Sequence, residues 1–127
     1  MVEFALTFTL FLVVAIGIFE FSRLIWSTAV LSHAAKEGAR YAMMHGSHNP
    51  TKAGGTPTAD VKTIVDANAI GIPSEAVDVS VTWTPNNEPG SSVQVDVKYN
   101  FRFIASALIS TPSQLELERH SQMIVVN

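Results

Sequence analysis

The sequence predicts an α+β fold, in which one long N-terminal helix carries a small head made of an antiparallel sheet and one short helix. Three observations predict it. No proline occurs from Val2 to about His45, where good helix formers dominate. The last fifty residues alternate apolar and polar side chains in three runs, as strands with one buried face do. A short segment between these regions has the apolar spacing of a second helix. The expected shape is a lollipop.

The two halves of the first helix need different partners. Residues 4–19 hold no charge and are mostly apolar on every side, which indicates burial all round. This run is about 24 Å long at 1.5 Å per residue, which is marginal for a membrane span. It does not resemble a secretory signal peptide, because its first charge is acidic and no small-residue cleavage site ends it. The later half is amphipathic, with an apolar face of Leu24, Val30, Leu31, Ala34, Ala35, Ala39, Ala42 and Met43.

The head is predicted to follow a Gly- and Pro-rich loop at 46–57. A helix over 58–71 begins at an N-cap, Thr58, and ends at Gly71 and Pro73; its predicted apolar face is Val61, Ile64, Val65 and Ile70. Strands follow at 77–84, 93–103 and 113–127, with a turn at 85–90. One face of such a sheet needs a cover, and the amphipathic half of the first helix is the natural one.

Composition excludes several classes of function. The net charge is −3 and the 8 Lys and Arg residues are scattered, so no nucleic-acid partner is expected. The absence of cysteine excludes disulfides, thiolate metal sites and cysteine nucleophiles. No phosphate-binding loop or nucleophile motif occurs. His45 and His48 lie in the Gly/Pro loop without a third ligand nearby. We expect no catalytic site, no cofactor and no metal, and hence a protein that is not an enzyme.

Glu3 comes directly before the apolar run, and its position there has two interpretations. It could end a membrane segment among lipid headgroups, or complement the positive end of the helix dipole. Alternatively, if such helices leave the membrane and bundle, the carboxylate becomes buried and needs a cation. The α-amino group of a neighbouring helix, created by cleavage, could supply that cation and fix the axial stagger of a filament.

Two further features of the helix also have alternatives. Glu20 and Arg23 have the three-residue spacing of an intrahelical ion pair, which we favour over a contact between subunits. Gly38 in "KEGAR" is expected where the sheet or another helix approaches closely.

Three blocks resemble the TadE-like family, pseudopilin relatives found with tight-adherence type IV pili. They are "VEFAL" (2–6), "FEFSR" (19–23) and "AAKEGARYA" (34–42), in that order around the apolar run. The tail, "SSVQVDVKYNF" and a closing strand, resembles the family more loosely. The resemblance implies a pilin-like fold and cleavage of the precursor by a prepilin peptidase. It also implies that the precursor is held in the inner membrane until the pilus assembly machinery inserts it into a cell-surface filament of a bacterium or archaeon. The glutamate of prepilin-like proteins usually lies fifth after the cut, and Glu3 is third. Either two residues precede Met1 or the cut lies elsewhere.

Three functions therefore remain open: a filament subunit that polymerises with copies of itself, a minor pseudopilin that primes or tips the pilus, and a single-span envelope protein that never polymerises. We favour the filament subunit. Its parts are a membrane or filament-core half (1–23), an amphipathic half packed on the head (24–46) and the head (47–127). The expected assembly residues are Glu3, Phe4, Leu6, Phe8, Leu10, Phe11, Val14, Ile18, Glu20 and Arg23.

Overall fold

The computed structural model describes residues 1–47, 57–106 and 114–126. Its elements in chain order are helix α1 (Val2–Met44), helix α2 (Thr58–Asn68), a single 3-10 turn (Ser74–Ala76), and strands β1 (Val77–Thr84), β2 (Ser92–Arg102) and β3 (Gln114–Ile124). The strands form one antiparallel sheet in the order β1-β2-β3. The predicted α+β arrangement, a long helix on a three-stranded sheet with one short helix, is confirmed.

α1 is about 65 Å long at 1.5 Å per residue, and only its second half is covered by the head. The buried face consists mainly of small side chains, which let the other elements approach the helix axis. Gly38 marks the closest approach: a Cβ there would lie 2.7 Å from Val65 Cγ2 of α2 and 3.5 Å from Val95 Cγ1 of β2. The close approach predicted at Gly38 is therefore present within one chain. The buried residues of α1 are Glu20, Ser27, Leu31, Ala34, Ala35, Gly38, Ala39 and Ala42.

The sheet buries one face against α1 and α2 and leaves the other to solvent. Its core positions alternate along the strands as predicted, with Val93, Val95 and Val97 of the central strand fully buried. On the solvated face, Lys98 pairs with Glu116 at 3.5 Å and Glu118 at 3.8 Å. The buried core comprises Leu31, Ala34, Ala35, Ala39, Ala42, Val61, Val65, Ala69, Ile72, Val77, Val79, Val93, Val95, Val97, Phe101, Leu117 and Val125.

Three details predicted for the second helix are wrong. It ends at Asn68, three residues before the predicted end at Gly71. The N-cap position is Pro57, and Thr58 is the first helical residue. Ile70 is 72% exposed, whereas we predicted it on the buried face. The reason is that α2 ends at Asn68, so the helical period no longer sets the direction of the side chains that follow. Ala69 and Ile72 take the buried positions there.

The head has two ends along α1. At the top, the end of α1 meets the β1–β2 turn and the C-terminal residues: Val126 N donates to Met43 O at 3.2 Å, and Ser47 N donates to Asn87 O at 2.9 Å. At the base, the chain leaves β2 beside Glu20. Most of the predicted loop 46–57, with His48, lies outside the described residues, as do the first residue and the last of the predicted third strand.

Candidate functional site

Residues 1–19, which are Met1 and the first 18 residues of α1, are here called the stem, and they project beyond the head with every residue exposed. The stem is apolar around its whole circumference, so no single face of it is adapted to water. By length and composition, α1 is the one helix among the described residues that could cross a membrane. It fits a transmembrane anchor.

Hydroxyl groups on the stem are already hydrogen-bonded. Thr7 Oγ1 donates to Glu3 O and Thr9 Oγ1 donates to Ala5 O, both at 2.8 Å. Each bond runs back one helical turn, so neither hydroxyl offers an unsatisfied donor to an apolar environment. The stem can therefore enter lipid or a protein core without losing a hydrogen bond to water at these two positions.

The predicted assembly residues divide between two places. Glu3 lies exposed in the first turn of α1, and the Phe4 and Phe8 rings stack with centroids 5.9 Å apart. Spacings of one to four residues distribute the apolar members around the stem, rather than along one stripe. The members exposed on the stem are Phe4, Leu6, Phe8, Leu10, Phe11, Val14 and Ile18.

Glu20 and Arg23 lie at the other place, at the base of the head. Glu20 is 5% exposed, and its Oε1 accepts from the backbone nitrogens of Ile104 at 2.6 Å and Ala105 at 3.2 Å. Its Oε2 accepts from Arg23 Nη1 at 3.2 Å. Arg23 also places its guanidinium carbon 5.1 Å from the centre of the Phe101 ring. We call Glu20, Arg23, Phe101, Ile104 and Ala105 the base clamp.

The base clamp compensates a buried charge. The two N–H groups belong to residues just past the end of β2 at Arg102. They donate to the Glu20 carboxylate rather than to a neighbouring strand. Three donors on one carboxylate make burial tolerable, and bonds to a charged acceptor are stronger than neutral ones. The intrahelical Glu20–Arg23 pair is present as predicted, whereas its backbone partners were missed. One signal could have found them: Glu20 precedes Leu24, Ser27 and Leu31 at spacings of four, three and four, on the face that packs against the head.

The described residues hold no group of His, Cys, Asp and Glu side chains that could bind a metal ion. His45 is engaged with its own helix: its Nδ1 lies 2.8 Å from Tyr41 O, and its ring stacks on that of Tyr41. The geometry supports two roles. The stem associates with apolar surroundings, and the base clamp attaches the head to α1.

Residues 1–40 match the family model of the TadE-like protein family. The resemblance found in the sequence is confirmed over this range. No curated protein and no solved structure matches the chain.

The TadE-like segment contains Glu3, the whole stem and the Glu20–Arg23 pair, and it ends within the buried face of α1. A TadE-like domain indicates a pseudopilin associated with tight-adherence pili, and such pilus proteins are structural components. This agrees with a stem that fits a membrane anchor and with a membrane or pilus-surface location.

Proposed function

We propose that this protein is a structural subunit of a tight-adherence type IV pilus filament, polymerising with copies of itself through its stem while the head faces the medium. One observation carries the proposal: the TadE-like match falls on a helix whose first 18 residues, 2–19, are exposed on every side. Such a surface needs lipid before assembly and neighbouring stems afterwards. The subunit waits in the inner membrane in this scheme.

Transfer from lipid to a filament core supplies little hydrophobic free energy, because lipid tails are as apolar as the side chains that leave them. Association then depends on van der Waals packing and on polar contacts between helices. The stem offers both: bulky apolar side chains around its circumference, and one carboxylate at its tip. The proposed packing residues are Phe4, Leu6, Phe8, Leu10, Phe11, Val14 and Ile18.

Glu3 sets the register in this proposal. Its carboxylate, exposed in the single chain, becomes buried among neighbouring stems and pairs with the α-amino group of the next subunit. A buried, paired charge is costly to misplace, so one axial offset between subunits is favoured over others. The amine comes from cleavage by a prepilin peptidase, and the pilus assembly machinery inserts the processed chain. Glu20 and Arg23 contribute by holding the base of the head at a fixed position along α1, directly after the stem.

A second candidate is a minor pseudopilin that primes or tips the pilus. The TadE-like match over residues 1–40 favours it, because the resemblance implies a pseudopilin and TadE-like proteins are commonly considered minor components. The two candidates differ in abundance: a filament subunit makes up most of a sheared pilus, and a minor pseudopilin makes up a trace of it.

The test compares Glu3→Ala with the charge-preserving Glu3→Asp in the producing cells. We expect Glu3→Ala to remain in the membrane fraction but to assemble few or no filaments, with Glu3→Asp retaining much more assembly. Electron microscopy of sheared appendages and mass spectrometry of the N-terminal peptide give the readout. Filaments of wild-type yield from Glu3→Ala would refute the role of the carboxylate. Wild-type chain found only unprocessed in the membrane would instead favour the non-polymerising envelope protein.

A further inference from the structure

Exposed apolar surface continues past the stem onto the base of the head. Phe21, Ile25 and Trp26 of α1 are 63%, 55% and 48% exposed. Ile70, which follows α2, is 72% exposed, and Ile104, which follows β2, is 55% exposed. We call these five residues the base collar. Ile124 and Val126 at the top of the head are exposed as well, so the base is distinguished by its tryptophan and by its continuity with the apolar surface of the stem.

Contacts place these residues at the same end of the head. Ile104 N donates to Glu20 Oε1 at 2.6 Å, so Ile104 lies at the level where the stem ends. A Cβ at Gly71 would lie 2.5 Å from the Trp26 ring, so the segment that contains Ile70 lies against Trp26. The base collar thus surrounds the point where the stem leaves the head.

The length of the stem determines where the base collar lies relative to a bilayer that the stem spans. Residues 2–19 extend about 27 Å along the helix, close to the roughly 30 Å of a bilayer's hydrocarbon core. Trp26 lies about 9 Å beyond Glu20 along the axis, but side chains of an α-helix lean toward its N-terminus. The Cα–Cβ bond of Trp26 is therefore tilted back toward the stem, which brings this residue within reach of the headgroup layer of a bilayer that holds the stem.

We propose that the base collar is a lipid-contacting surface that seats the head on the bilayer interface while the stem is in the membrane. The inference rests on the membrane-held subunit of the proposed function. Lipid fits better than a second copy, because Ile25 and Trp26 differ by about 100° around α1 at the same level. A bilayer surrounds a helix on all sides, whereas one partner helix covers one face. Tryptophan also prefers the membrane interface.

The two tryptophans of the chain allow a direct test. Trp83 pairs with Val93 near the end of β1, at the top of the head, far from the base. W83F leaves Trp26 as the only tryptophan, and W26F leaves Trp83. Each full-length chain is reconstituted in phosphatidylcholine vesicles with bromine on the upper acyl chains. We expect the brominated lipid to quench Trp26 fluorescence several-fold more than Trp83 fluorescence. Equal or weaker quenching of Trp26 would overturn the inference.

Two further variants, made in the W83F background, separate lipid contact from other effects. Ile70→Asp adds a charge to the collar, and Ile124→Asp adds the same charge at an exposed isoleucine near the top of the head. Ile70→Asp should reduce quenching of Trp26, and Ile124→Asp should leave it unchanged; equal effects would argue against the collar. Quenching of Trp26 that falls as the ratio of protein to lipid rises would indicate a second copy on the collar, and would overturn lipid as its occupant.

Flotation of the same samples distinguishes the two proposals. If the chain does not float with vesicles, the membrane-held subunit fails and the collar inference fails with it. If the chain floats and Trp26 is not quenched, only the collar inference fails.

Discussion

At the scale of single residues, the two glutamates of the TadE-like segment have opposite surroundings. Glu3 is exposed at the tip of the stem, and Glu20 is buried under three hydrogen-bond donors. A carboxylate whose partners are supplied within its own chain has no need of a partner from another subunit. Glu20 therefore has a role in holding the head to the helix, while Glu3 is left for the contact between chains that we propose.

Replacing Glu20 tests the base clamp. Glu20→Ala removes the acceptor of the Ile104 and Ala105 N–H groups, and should lower the free energy of unfolding by about 1–3 kcal/mol. Urea denaturation of the full chain in detergent micelles, followed by near-ultraviolet circular dichroism, measures it. Glu118→Ala is the matched control, because Glu118 forms an exposed ion pair whose loss should cost about 0–1 kcal/mol. Equal losses from the two variants would contradict the clamp.

At the scale of elements, α1 and α2 approach each other so closely at Gly38 that no side chain fits between them. Gly38 faces Val65 and Val61, two stiff β-branched side chains that are fully buried. The helices pack closely because nothing but a hydrogen occupies the position between them. Gly17, in the stem, has no atom within 4 Å of an added Cβ. The same substitution at these two glycines should therefore have different results.

Gly38→Ala should destabilise the head by about 1–3 kcal/mol, because the new methyl group would clash with Val65 in a packed core. Gly17→Ala should leave the stability of the head unchanged. Thermal unfolding of the two full-length variants in the same detergent compares them. If Gly38→Ala were as stable as Gly17→Ala, the close approach of α1 and α2 would be in doubt.

The elements themselves were largely predictable from sequence, and the contacts between distant elements were not. The lack of proline predicted α1, and alternation predicted the apolar face of β1 and β2. Ile70 was misplaced because apolar spacing does not tell where a helix ends. The partners of Glu20 were missed because they are backbone N–H groups 84 and 85 residues away. Every non-proline residue carries such a group, so side-chain patterns give no sign of which ones will be free to pair.

At the scale of the whole molecule, one helix belongs to two environments. The head covers the second half of α1, and the stem remains without cover. A polar substitution on the stem should therefore act on membrane retention and not on the folding of the head, whereas the same substitution at the top of the head should leave membrane retention unchanged.

Phe11→Lys tests this division in the middle of the stem. A lysine at the centre of a membrane helix costs about 2.5–3.5 kcal/mol of insertion free energy, so the fraction of chain resisting alkaline extraction from membranes should fall. Val126→Lys, at an exposed valine at the top of the head, is the control and should extract like the wild type. Full retention of Phe11→Lys in the membrane would argue against the stem as the anchor.

α1 is fastened to the head at two levels, by Glu20 at the base and by the Met43 carbonyl at the top. The two fastenings are about 35 Å apart along the helix. A pull on the stem is therefore shared between them and loads the packed face between helix and sheet in shear, so the head cannot be peeled away from one end first. The continuous backbone of α1 bears the tension, and the head moves with the helix.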